Sequence, residues 1–154
     1  MANFDATKSG PSANSYATTI EADDYLEFEY GSDEWSSLDD DAKERLLVSA
    51  TRLIERLTAK YEKFDENQAL NFPMDTNPDG YDLAKEACII QAMHLYKNHE
   101  QIQEGIAGNI VGLKSESLGK TSKQITAFNP LAKYASSVVK LLSDYTITTL
   151  QCTR

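Results

Sequence analysis

"DDDAKERLLVSATRLIERL", residues 39–57, decides the fold class. Three aspartates open it, where negative charge suits the positive end of a helix dipole. Apolar residues then recur at Leu46, Leu47, Ala50, Leu53, Ile54 and Leu57, the three-and-four spacing of one helix face. Lys43, Glu44, Arg52, Glu55 and Arg56 fall on the other face. An amphipathic helix of this kind needs a partner to cover its apolar stripe.

The partner lies downstream. From roughly Tyr81 to Gln103 the pattern is apolar on most sides, with Leu83, Ala84, Ala87, Ile89, Ile90, Ala92, Met93, Leu95 and Tyr96. This predicts a central helix. A shorter helix is expected from Thr18, where Glu21 completes a capping box, through Ala22, Tyr25, Leu26 and Phe28 to Gly31. A fourth is expected from Asn129-Pro130, carrying Leu131, Ala135, Val138, Val139 and Leu142. Between them lie an acidic connection around Trp35 and Leu38, an irregular stretch over 62–80, and an extended loop over 105–128 punctuated by Gly105, Gly108, Gly112 and Gly119. The last ten residues, YTITTLQCTR, are β-branched and read as an extended arm. The expected class is all-α, a small bundle of about four helices. Residues 1–15 form a flexible leader, 16–144 the helical domain and 145–154 the arm.

Composition narrows the function. The chain has 154 residues, 41% hydrophobic and 25% charged, as a single globular domain would. No apolar run approaches the roughly 20 residues that span a bilayer, and MANFDATKSGPSANS lacks the features of a signal peptide. Cys88 and Cys152 make no metal spacing, and both thiols are expected free in a reducing compartment. The net charge of −9 is unevenly placed: residues 1–80 hold 18 acids and 7 bases, residues 105–154 hold 2 acids and 6 bases. Such asymmetry suits association by opposite faces. A pI near 4.7 argues against a main task of gripping phosphate backbones.

Three motifs invite chemistry. "DTNPDGYDLAKE", residues 75–86, fits a calcium loop, with Asp75, Asn77, Asp79 and Glu86 as candidate ligands and Gly80 at the turn. Pro73 disfavours the helix that should enter it, Asp82 replaces the usual apolar eighth residue, and no second loop follows. An acidic turn feeding the central helix is the expected reading. Gly119-Lys120-Thr121 resembles the end of a phosphate loop, but Lys114 stands where the first glycine belongs. His94 and His99 are five apart and share no helix face. With no nucleophile elbow either, neither an enzyme nor a cofactor is expected. Tyr16, Tyr25, Tyr30, Trp35, Tyr61 and Phe72 could stack on bases, yet their acidic surroundings favour core packing or an interface.

One arrangement is familiar. "NSYATTIEADDYL", "LLVSATRLIERL", "KFDENQALNFPMD", "LAKEACIIQAMHLY" and "LKSESLG" occur in that order over about residues 15–145. Together they resemble the head–tail connector (adaptor or head-completion) proteins of tailed bacteriophages, some of whose relatives are labelled DnaT-like single-stranded DNA-binding proteins. Met74 stands where the connector family usually has arginine. The resemblance implies a virion subunit made in the host cytoplasm, assembled as a twelvefold ring beneath the portal. The ring would extend the DNA channel, pass DNA without specific binding and meet a stopper or tail-completion protein. It implies docking to the portal protein through the arm, with Tyr145, Ile147, Leu150 and Arg154. Charge asymmetry adds Asp39, Asp40 and Asp41 facing Lys120 and Lys123 as candidates for the ring interface. The alternative is a single-stranded DNA-binding replication accessory protein.

Overall fold

The computed structural model describes residues 3–58, 62–74, 79–103, 115–118, 121–124 and 133–146. In chain order its elements are α1 (Thr19–Leu26), the single turn α2 (Asp33–Ser36), α3 (Asp40–Leu57), α4 (Gly80–Lys97), the hairpin strands β1 (Ser115–Leu118) and β2 (Thr121–Gln124), α5 (Ser136–Leu141) and a 3-10 turn, Ser143–Tyr145. The fold is a small all-α bundle, as expected.

Local signals start the helices where they should. Thr18 caps α1 and Glu21 reaches back to its N–H at 2.9 Å, completing the capping box. Asp39 caps α3, accepting from the Ala42 N–H at 2.8 Å. The apolar stripe of α3, with Leu47, Ala50 and Ile54 buried, packs on α4, whose buried face is built from Ala84, Ala87, Cys88, Gln91 and Ala92. Small residues let the two backbones approach closely. Burial pushes the Cys88 thiol above its usual range, and its Sγ lies 3.3 Å from Thr51 Oγ1. α4 ends at Lys97 with Asn98 as its C-cap, and helical backbone resumes over residues 99–103.

Gln91 ties the last helix down. Its Nε2 donates to the Lys133 carbonyl at 2.7 Å and its Oε1 accepts from the Ala135 N–H at 3.0 Å. A buried amide with both ends satisfied holds α5 against α4 in one register. The expected start of this helix, Asn129-Pro130, and Leu131 lie outside the described residues. The same holds for most of the 105–128 loop, of which the described part is an antiparallel hairpin pairing Ser115 with Gln124 and Leu118 with Thr121.

Four expectations change. Residues 3–15 are not a loose leader but a closed loop: Asn14 and Ser15 N–H groups donate to the Asp5 carbonyl at 2.8 and 3.1 Å, and Gly10 accepts from Ala69 at 3.0 Å. A Cβ at Gly10 would sit 3.0 Å from the Thr7 Cβ, so a larger residue fits only if Thr7 gives way by a few tenths of an ångström. Lys43 does not face solvent but is 6% exposed, held at 2.9 Å by Asp23, which also accepts from Trp35 Nε1 at 2.8 Å. Glu55 likewise turns inward. Its carboxylate accepts from the Tyr16 hydroxyl and, at 3.0 Å, from the Asn71 N–H. Finally, Tyr145 is not part of a free arm: its ring packs edge-on to Phe72, centroids 5.2 Å apart.

Candidate nucleic-acid interface

The helical period that buries one side of α3 places Arg45, Ser49, Arg52 and Arg56 on the other, four, three and four residues apart. All four are exposed. At 1.5 Å per residue, the arginines span about 16 Å of surface. Among the described residues the ion pairs are Lys43–Asp23 and Lys85–Glu21, so none of the three guanidiniums is neutralised by a salt bridge.

One of the two carboxylates adjacent to the row in sequence is withdrawn. Glu55, three residues after Arg52 and next to Arg56, is held by Tyr16 and Asn71 on the opposite side. Burial pushes its pKa above the ordinary value of 4.5, against the pull of those hydrogen bonds and of Lys63. The inward turn of Glu55 therefore serves two ends: it pins the 62–74 segment to α3, and it leaves the arginine row less compensated. Asp41 and Glu44 still flank Arg45.

At one end the row meets Tyr134, whose ring carries Lys133 Nζ 5.2 Å from its centroid. Burial raises the Tyr134 pKa, and Arg56 pulls it the other way. At the other end a cleft of about 430 Å³ opens between α3 and the 3–15 loop. Tyr134 is itself buried, so the accessible parts of the groove are three arginines, a lysine and the Phe4 ring at the cleft end, the kinds of group a single-strand groove uses.

A second surface differs in character. Phe28 and Tyr30 are 90% and fully exposed on the α1–α2 connection, amid Glu27, Glu29 and Asp33. Beside them a cleft of about 270 Å³ is lined by Tyr30, Ile90 and Met93 together with polar Glu29, Lys97 and Ser137. Exposed apolar side chains rimmed with acids are chemistry for a protein partner rather than for phosphates.

The residues singled out in the sequence scatter. Asp79 stands at the start of α4, while Glu86, the expected twelfth ligand, accepts from the Tyr25 hydroxyl at 3.1 Å and so points to α1. Asp75 and Asn77 lie outside the described residues, and no three acid, histidine or cysteine side chains among those described are placed to share a metal. Asp39 is a helix cap, with Asp40 and Asp41 in the first turn. Lys123 stands opposite Glu116 in the hairpin. Lys120, Ile147, Leu150 and Arg154 lie outside the described residues. Of the aromatic set, Tyr16, Trp35 and Phe72 are core, and Tyr61 is outside the description. Arg45 and Phe4 belong to none of the sequence motifs. The spacing 45, 52, 56 would have found the arginine row, whereas Phe4 depends on a loop closure that sequence spacing does not show.

No curated protein and no solved structure matches the chain. A family model does: residues 5–109, about two thirds of the chain, match the family described as "Putative DnaT-like ssDNA binding protein". That stretch includes the arginine row, the 3–15 loop from Asp5 onward and both long helices. The chain belongs to this family.

Proposed function

We propose that the protein binds single-stranded DNA along the outer face of α3. The observation that carries this reading is the exposed row Arg45, Arg52 and Arg56 with Glu55 withdrawn from it, and family membership supports it. The net charge of −9 works against it, because the protein's overall field repels a polyanion. The local row acts at contact range, where screening is weak, and the general field falls off within about 10 Å at 0.1 M salt. Binding is therefore expected to be weak, with a Kd on the order of 10⁻⁵ M, the range of non-specific association. Fluorescence anisotropy of a labelled oligo-dT strand tests it. Substituting all three arginines by alanine is expected to lower affinity at least about tenfold, or about 1.4 kcal/mol. Equal affinity of the two proteins would refute the assignment.

A second reading, a head–tail adaptor ring in a tailed-phage virion, is favoured by one specific observation. The acidic first half carries the exposed Phe28–Tyr30 knuckle, while the last fifty residues are net basic. Unlike surfaces on one chain suit a head-to-tail contact between copies. Co-sedimentation with portal rings, lost on Phe28→Ser with Tyr30→Ser, is its test.

A further inference from the structure

The cleft at the Arg45 end of the row has a built wall. Phe4 is fixed from both sides by one residue: Asn14 Nδ2 donates to the Asn3 carbonyl at 2.8 Å, and Asn14 Oδ1 accepts from the Asp5 N–H at 3.0 Å. The Asn14 backbone adds a third bond to Asp5, at 2.8 Å. The ring so held packs partly on the core and partly lines the cleft. Facing it along α3 are Asp41, Glu44, Arg45, Val48, Ser49 and Arg52, so the cleft carries two carboxylates beside its two arginines. Val48 offers apolar floor, the two arginines stand about two turns apart at the rim, and Glu44 supplies acceptor oxygens. At about 430 Å³ the space falls within the range of small-ligand sites.

We propose that this cleft takes one nucleotide of the bound strand, with its base against Phe4 and Val48 and its flanking phosphates on Arg45 and Arg52. The proposal rests on the single-stranded DNA reading and deepens it. An ionised carboxylate only accepts hydrogen bonds. Guanine presents two adjacent donors, N1–H and the N2 amino group, which match the two oxygens of Glu44. Thymine presents one N–H between two carbonyls, which the carboxylate repels. The cleft therefore selects guanine over thymine, while the rest of the arginine row grips backbone without regard to sequence.

Anisotropy with two labelled 12-mers, one all dT and one with a single central dG, tests this. The wild type is expected to bind the dG strand about fivefold or more tightly, in keeping with one bidentate base contact. Glu44→Gln should remove that preference while leaving dT affinity no weaker. Phe4→Ala should weaken binding to both strands about fivefold or more, as loss of one stacked base does. Phe4→Tyr should restore it, which separates stacking from loss of fold. Equal affinity for the two strands, or full affinity in Phe4→Ala while the triple arginine variant still loses binding, would overturn the cleft and leave the arginine row standing. Absence of binding by the wild type to either strand at 50 mM salt would overturn both.

Discussion

Glu55 joins stability to the surface at the scale of one residue. It sits on the outer side of α3 by sequence spacing, yet its carboxylate is bonded to the Tyr16 hydroxyl and the Asn71 N–H, and Asn71 Nδ2 donates to its carbonyl at 3.0 Å. Burial dominates and raises its pKa above 4.5. The folded state thus holds this proton more tightly than the unfolded chain. Stability from the group is fully present below the unfolded value and is lost as pH rises through the raised one. Glu55→Gln, which stays neutral in both states, is expected to remove that loss. Urea unfolding of both proteins across pH 4 to 8 checks it: the gap between them should shift in favour of the variant as pH rises. A constant gap would mean that folding leaves the Glu55 pKa where it is in the unfolded chain. Tyr16, beside it, is pushed to a higher pKa by burial and then by the Glu55 charge, so it stays protonated and donating.

Elements show which parts of this chain can be read locally. The starts of α1 and α3 are legible because a capping box and an aspartate cap act within three residues of themselves. The pairing of α3 with α4 is legible because both apolar faces repeat at the helical period. The same periodicity puts Lys43 on the face away from the apolar stripe, and what overrides it is Asp23, twenty residues away, arriving with Trp35. The closed 3–15 loop hides for a similar reason, since its bonds run from Asn14 to Asn3 and Asp5 and from Ala69 to Gly10. Tyr145 shows the limit at the other end of the chain. Its β-branched neighbours suggest an arm, but its ring docks on Phe72. Two truncations separate these. Removal of residues 147–154 gives the reference melting temperature, with Tyr145 retained. Removal of 145–154 should lower stability by about 1 kcal/mol or more, the worth of one aromatic pair with its buried area. Equal melting temperatures for the two truncations would show that Tyr145 contributes nothing.

For the whole molecule the deciding balance is between net charge and local charge. Eighteen acids in the first 80 residues make the protein a poor polyanion binder on average, and composition alone points away from nucleic acid. The fold changes the weighting, because it sequesters Glu55 and pairs Asp23 and Glu21 with lysines while leaving Arg45, Arg52 and Arg56 in water. A strand held by that row must release counterions in proportion to the phosphates it neutralises. For single strands the slope of log K against log salt is about −0.7 per contact, so three arginines contribute about −2. The most direct measurement is therefore the affinity for an oligo-dT strand between 25 and 200 mM salt, for the wild type and for the triple alanine variant. The row predicts a wild-type slope of about −2 or steeper and a variant slope shallower by about 2. A wild-type slope near zero, or the same slope in both proteins, would contradict it.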